Sequence, residues 1–383
     1  MRFMLLGSGM QGRACAFDML RNPEVEEVLL ADNSAKSMDS VKKLLKSTKV
    51  KTARVDASDV NRIKKLAEGY DVLVSAVPYY LNLPLAKAAI AARTHFVDLG
   101  GNQDIVRREI ALHPAAVKAG VGIQPDVGLG PGMINNIAAH GIEMMERADE
   151  VLIRDGGLPL RPKPPMNYLL TFSEHGLINE YVENATALRD YKRVEVPGLS
   201  EVETIDLPEP LGRCEAAHAA GGLATMAWTY EGKVRSMDNK LIRYPGHIAV
   251  INAMNAMGFF RKEKKRVGDI DVSPRTLSAA LFREHFERPG DQDLVVIRVT
   301  VRGVRDGRNA EVVYDMMDKY DERTKMTAMM RTTGFPASIV AQMLAKGVMK
   351  PGARPVEVGV PPGPFIDEVR MRGFNLSWKL KVS

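Results

Sequence analysis

The sequence predicts an α/β protein: a Rossmann-type, doubly wound parallel sheet followed by a second α+β domain whose sheet is largely antiparallel. Three observations carry this prediction. An apolar run enters a glycine-rich turn at the amino end, short apolar runs then alternate with helical stretches through the first third, and a long hairpin pattern occupies the later half.

Arg2-Phe3-Met4-Leu5-Leu6 suits a buried parallel strand and feeds into Gly7-Ser8-Gly9-Met10-Gln11-Gly12, a GxGxxG pattern at a strand-to-helix junction. Gly7 permits the tight turn, Gly9 lets backbone approach a pyrophosphate, and Gly12 allows close helix–strand packing. The helix that follows presents its amino end to the phosphates, so Met10 and Gln11 join the three glycines as expected coenzyme contacts. A second run, Val28 to Ala31, ends in Asp32, placed where a carboxylate accepts hydrogen bonds from the adenine ribose. Asn33 rather than an arginine follows it, and a carboxylate repels a 2′-phosphate, so NAD is expected over NADP.

The alternation continues. Thr52 to Val55 precedes Asp56-Ala57, Val60 to Ala67 reads as a helix, and Val72 to Val77 reads as a strand stopped by Pro78. A helix opened by Pro84 runs through Ala92. His95 to Val97 is a strand ending in Asp98-Leu99-Gly100, and Val121 to Ile123 is one ending in Pro125-Asp126. Ligands of such sheets lie at the carboxyl ends of the strands. Asp56 and Ala57 are therefore expected near the adenine, Ala76, Val77 and Pro78 near the pyrophosphate and nicotinamide ribose, and Asp98 and Gly100 near the nicotinamide. Asp56 serves equally as a cap for the next helix.

Beyond Asp126, Gly128-Leu129-Gly130-Pro131-Gly132 is a second glycine-rich turn, and Met133 to Met145 has helical spacing. Leu294 to Val301 and Glu311 to Met316 form a hairpin across Arg305-Asp306-Gly307-Arg308, where Asp-Gly supplies the turn. Thr332 through Leu344 is helical again. The expected boundaries are 1–130 for the dinucleotide-binding domain, 131–325 for a substrate-binding and dimerisation domain, and 326–383 for a helical segment packing back on the first.

With 383 residues, 45% of them hydrophobic, and a net charge of +6, the composition is that of an ordinary soluble protein. Cys15 and Cys214 stand far apart, which fits a reducing cytoplasm and excludes a disulfide framework. Phe3 to Leu6 is too short for a signal segment and no apolar run reaches membrane-spanning length. The densest basic cluster, Arg261 to Arg266, is broken by Glu263 and reads as a solvated face, so neither nucleic acid nor membrane is an expected partner. His140 and His175 lack companions at ligand spacing, and no metal is expected.

Motifs along the whole chain resemble the saccharopine dehydrogenase superfamily, and most of all its lysine 6-dehydrogenase branch. They are GSGMQG (7–12), VDLGGN (97–102), PDVGLGPGM (125–133), Thr171 to Leu177, Gly221 to Thr225, Ile242-Arg243-Tyr244-Pro245-Gly246-His247, and RTTGFPASIV (331–340). The resemblance implies a cytoplasmic homodimeric oxidoreductase with a small amino-acid substrate. Its reaction would be NAD-dependent oxidative deamination of the L-lysine side chain to the 6-semialdehyde.

Hydride leaves the ε-carbon only when nitrogen has a lone pair. A free lysine amine, with a pKa near 10.4, needs about 4.6 kcal/mol for deprotonation at pH 7. A desolvating site and a base would supply this, and His218, His247, Asp98 and Asp126 are the candidates. Arg243 suits the substrate carboxylate as a bidentate partner, Tyr244 adds a hydroxyl, and Thr171 and Ser173 are further contacts, although Ser173 equally suits a helix cap. Alanines at 216, 217, 219 and 220 stand where the family pattern has aromatic or polar residues. A saccharopine-type reductase acting on a secondary amine, and a non-catalytic NAD-binding module, therefore remain as alternatives.

Overall fold

The structure is a computed structural model that describes residues Met1–Ser383. The chain forms two compact units, one of Met1–His140, Ala224–Thr229 and Met330–Phe374, the other of Gly141–Leu223, Tyr230–Met329 and Asn375–Ser383.

The strands of the first unit are β1 (Arg2–Leu6), β2 (Glu27–Asp32), β3 (Val50–Arg54), β4 (Val72–Ser75), β5 (His95–Asp98) and β6 (Gly122–Gln124). Those of the second are β7 (Arg147–Pro159), β8 (Ala185–Arg189), β9 (Lys192–Val196), β10 (Glu203–Leu207), β11 (Gly212–His218) and β12 (Ser236–Arg243). They continue with β13 (Lys265–Val267), β14 (Ile270–Val272), β15 (Asp293–Arg305) and β16 (Arg308–Lys319). The chain then adds β17 (Gly352–Ala353) to the first unit and β18 (Ser377–Val382) to the second.

The first unit's sheet has the order β17-β6-β5-β4-β1-β2-β3 and is parallel throughout. Order reverses on either side of β1, so the carboxyl ends of β1 and β4 make the switch point at which such sheets bind ligands. Met4, Leu6, Leu73, Leu85, Phe96 and Ile123 pack the core that fixes these strand ends. Phe335 of the helix Ala328–Ala345 stacks on Phe17 at 6.2 Å, and Arg372 pairs with buried Asp18 at 2.7 Å, which ties the later chain to the first helix of this unit. Ser34, Asp59 and Asn102 cap the helices Ala35–Leu45, Val60–Ala67 and Gln103–Ile110 through their side chains. The cap of Val60–Ala67 is thus Asp59 and not Asp56.

The second unit's main sheet runs β10-β11-β12-β7-β15-β16-β18, with β8 and β9 attached to β12. It is mixed: β12 and β7 pair in parallel and every other pair is antiparallel. The β15–β16 hairpin closes on Arg305↔Arg308 with Asp306 and Gly307 both at positive φ, as an Asp-Gly turn requires. Two expectations are corrected. The strand read as Val72 to Val77 ends at Ser75, and residues 377–382, read as part of a helical segment, form β18, whose Trp378-Lys379-Leu380-Lys381 alternation fits an edge strand. No helix is long and apolar enough to cross a membrane.

Candidate active site

The glycine-rich turn has the geometry of a phosphate cradle. Gly7 sits at φ +94°, and a Cβ there would lie 2.5 Å from the carbonyl of Ala76, so no other residue fits. At Gly12 a Cβ would lie 1.9 Å from the Gly7 carbonyl oxygen, because the helix Met10–Leu20 packs directly on the turn. Gly9 differs: it caps that helix in an extended conformation and open space surrounds its missing Cβ. The leading N–H groups of a helix have no partners within it, and here Gln11 Oε1 is a buried atom without a hydrogen bond. An open approach and helix-end N–H donors fit a dinucleotide diphosphate, with Met10, 51% exposed, at the rim.

Asp32, at the end of β2, accepts from the Ser8 N–H at 2.7 Å, the Ser8 hydroxyl at 2.9 Å and the Ser34 N–H at 2.8 Å. Burial raises its pKa, but the donors from Ser34 and Ser8 outweigh burial and hold the carboxyl below its ordinary range, so it is ionised. Asn33 follows, with its carbonyl taking a bond from Arg54. Ala76 and Val77 are half-buried and Pro78 exposed beyond β4. Asp56 is exposed and accepts from the N–H and hydroxyl of Ser58, which makes it a turn residue, with Ala57 inside that turn.

Beyond β5 and β6 the first unit buries three carboxyl groups. Asp98 Oδ1 accepts the Gly100 N–H at 2.7 Å and the Asp126 N–H at 3.4 Å, while Asp98 Oδ2 and Asp126 Oδ2 are buried without partners. Asp126 adopts φ +62°, and a Cβ on Gly100 would lie 2.0 Å from Asp126 Oδ1, so the Gly100 turn exists to let this carboxyl in. Glu109, on the helix Gln103–Ile110, completes the group. It is wholly buried and neither of its oxygens is hydrogen-bonded to an N–H or hydroxyl. Burial pushes all three carboxyls up, and Glu109 rises further because Asp98 and Asp126 repel its charge. Glu357, also buried in this unit, is satisfied by the hydroxyls of Thr225 and Thr229.

The second unit builds a different constellation around Arg243. Its guanidinium, 3% exposed, donates from Nε to the Tyr181 hydroxyl at 3.0 Å and from Nη1 to the Ile242 carbonyl at 2.9 Å. It lies 5.2 Å from the Tyr168 ring centroid and 5.6 Å from that of Tyr181. The Tyr181 hydroxyl and His247 Nε2 are 2.9 Å apart, and His247 Nδ1 is 3.0 Å from the Met166 carbonyl. The carbonyl must receive the Nδ1 proton, so Nε2 accepts from Tyr181 and the imidazole is neutral. Burial and the Arg243 charge hold His247 down to about 3. His247 therefore orients Tyr181 and is no proton acceptor, which corrects its expected role.

Asp155 and Glu180 are buried acids that the Arg243 charge acts on. Desolvation pushes Asp155 up to about 6 and Glu180 to about 8, against the pull of the guanidinium, and Asn239 Nδ2 donates to Asp155 Oδ1 at 2.7 Å. Alternation along β7 and β12 places Asp155, Gly157, Asn239 and Arg243 on one face, and Thr171 packs against Gly157.

Three other candidates lie elsewhere. His218 occupies the opposite face with Arg154, Asp238 and Lys240, its Nε2 2.9 Å from Glu201. Glu201, His218 and Asp238 offer ligand atoms within 4.8 Å of one another, but Arg189 already bridges the two carboxylates. Tyr244 donates its hydroxyl to the Pro159 carbonyl at 3.0 Å within an apolar cluster, and Ser173 is the exposed cap of the helix Glu174–Val182. Glu109, Asp155, Glu180, Tyr168 and Tyr181 were not legible as site residues. Asp155 and Tyr168 belong to the Asp-Gly-Gly and Asn-Tyr stretches, whereas Glu109, Glu180 and Tyr181 carry no such sequence signal.

Residues 3–123 match the saccharopine dehydrogenase NADP binding domain, and residues 128–374 the saccharopine dehydrogenase C-terminal domain. Saccharopine dehydrogenase [NADP(+), L-glutamate-forming] of Saccharomyces cerevisiae is 25% identical over 195 residues, 49% of this chain and 42% of that protein. Bovine mitochondrial alpha-aminoadipic semialdehyde synthase is 20% identical over 97% of this chain and 47% of its own length. The chain thus spans about half the length of these curated relatives. Among solved structures, apo saccharopine dehydrogenase (L-Glu forming) from Saccharomyces cerevisiae superposes with a TM-score of 0.80 at 18% identity over 99% of both chains. Homospermidine synthase from Legionella pneumophila in complex with NAD gives a TM-score of 0.69 at 12% identity, over 99% of this chain and 91% of that one. With a parallel dinucleotide-binding sheet, a mixed-sheet second unit and both domain matches running nearly end to end, the chain belongs to the saccharopine dehydrogenase family.

Proposed function

We propose that this protein is an NAD-dependent oxidoreductase of the CH–NH2 group of an amino acid, and that its substrate is L-lysine, oxidised at the side-chain amine to the 6-semialdehyde with release of ammonia. The observation that carries the reading is Arg243. A guanidinium buried between two tyrosines, with its Nη2 donors unspent, is a receptor for a planar carboxylate, and the Asp155 carboxyl that it acts on suits the adjacent α-ammonium.

The charges around Arg243 favour this substrate over a saccharopine-type one. Saccharopine carries three carboxylates, whereas the groups acting on Arg243 are tyrosines and an acid. The relatives' own names favour the saccharopine-type alternative, which stays as the second reading.

Bound nicotinamide supplies the hydride acceptor. Ionised Asp32 favours a free ribose 2′-hydroxyl and hence NAD. Within the first unit, the Asp98–Asp126 pair, whose Oδ2 atoms are buried without partners, is the proposed proton acceptor of the reaction. A homodimer and a cytoplasmic setting are part of the proposal and rest on the family resemblance.

The test is a coenzyme-reduction assay with purified protein. L-lysine with NAD alone produces reduced coenzyme and ammonia in equal amounts under this reading. Reduction with saccharopine and not with lysine would establish the second reading, and tight NAD binding with neither substrate turned over would leave a non-catalytic module.

A further inference from the structure

Glu109 has no role in the reading above, yet it is the least satisfied side chain of the first unit. It sits on the helix Gln103–Ile110, is wholly buried, and both its oxygens lack any hydrogen-bond donor. A buried carboxylate without a donor or a cation is strongly disfavoured, while a buried carboxylic acid needs only one acceptor. That acceptor is at hand. Asp98 has one oxygen occupied by backbone N–H groups and the other, Oδ2, unpartnered, and it interacts directly with Glu109.

We propose that Glu109 is a positioning residue that stays protonated at neutral pH and donates a hydrogen bond to Asp98, so that Asp98 and Asp126 act as one proton acceptor. The inference rests on the role given above to that pair. The charged groups acting on Glu109 are Asp98 and Asp126, and both favour its neutral form. Glu357 acts on Asp126 from the helix Val356–Gly359. The cations of its own helix turn away: Arg107 pairs with Asp104 and lies over Trp228, and Arg108 is exposed, as is Lys87 on the packed helix Asn82–Ala92. Neutral Glu109 thus does for Asp98 what an N–H donor would do. It stabilises the ionised Asp98 by one hydrogen bond without adding a charge, and so holds its proton affinity down.

Infrared titration of the protein tests this without any substrate, so it is independent of the enzymatic reading. The wild type is expected to retain a protonated-carboxyl band at pH 8, and Glu109→Gln to lose intensity equal to one group. A wild type with no such band at pH 8, or a band unchanged in Glu109→Gln, overturns the proposal, and the first of these outcomes needs no variant.

The pH profile of turnover gives the second readout. Glu109→Leu removes the donor and moves the acidic limb up by about one pH unit, whereas Glu109→Gln, whose amide also donates, moves it less than half as far. A downward shift in both variants would show a charged Glu109 and contradict the assignment. Equal upward shifts would show that the side chain only fills space.

Discussion

Two clusters, one in each unit, bury charge in opposite ways. On one face of the second unit's sheet buried charges are paired, Arg154 bonding Asp238 at 2.5 Å and Lys240 meeting Glu203 at 2.9 Å, while on the other face Arg243 is held by Tyr181 and Tyr168. In the first unit Asp98, Glu109 and Asp126 are buried together without a cation among them. Paired charges fix geometry and recognise ligands, whereas unpaired acids are satisfied by protons. Under the proposed function, Arg243 recognises the amino acid and the unpaired acids of the first unit are the proton acceptor.

Removing the Arg243 cation should produce the largest effect. Arg243→Ala is expected to lower kcat/KM for the amino acid by about 100-fold or more, as for truncation of one partner of a buried charge pair, with the NAD dissociation constant unchanged. Steady-state kinetics alongside coenzyme titration decides this, and equal losses in both would contradict the division. Gly9→Val is the converse. Its side chain enters space that is open in the structure, so thermal stability holds while NAD affinity falls by about tenfold or more. Gly12→Ala, which meets the Gly7 carbonyl, should lose stability as well.

The unpaired set has its own signature in stability against pH. Carboxyls whose folded-state pKa lies above the unfolded value favour folding below the unfolded value, about 4, and that contribution is lost as pH rises through the folded value. Denaturant titrations from pH 5 to pH 8 should therefore show wild type losing stability relative to Glu109→Gln by up to about 1.4 kcal/mol per pH unit. Glu203, held low by Arg154 and Lys240 against the burial that raises it, contributes with the opposite sign, its stabilisation lost as pH falls. Smaller effects are expected from Asp32→Ala, which should shift preference toward NADP by about tenfold. His218→Asn should alter turnover by less than about twofold, since His218 lies on the face away from Arg243.

Much of this was legible in the chain. The Gly7 to Gly12 turn, the strands that follow it, Asp32 and the Asp-Gly hairpin all depend on local rules of turn geometry and periodicity, and the structure has them where those rules put them. The site was legible only in its anchors. Arg243 and Asp98 stand out because a motif surrounds them, but Glu109 lies in Gln-Asp-Ile-Val-Arg-Arg-Glu-Ile, which reads as a solvated helix until the sheet is assembled and buries one of its acids. His247 failed for a related reason. Its ordinary pKa makes it the obvious base, and only the packing of Tyr181, Met166 and Arg243 around it removes that capacity. The final strand was missed because a short alternating run near a terminus carries little weight without its partner β16.

The most direct test of the central claim uses L-lysine carrying deuterium on carbon 6. One deuterium should appear in the reduced nicotinamide at each turnover, with a primary isotope effect on kcat/KM when the substrate is held at low pH, where proton removal is incomplete. Reduced nicotinamide formed without deuterium, or labelled lysine recovered untouched while saccharopine is consumed, would contradict it.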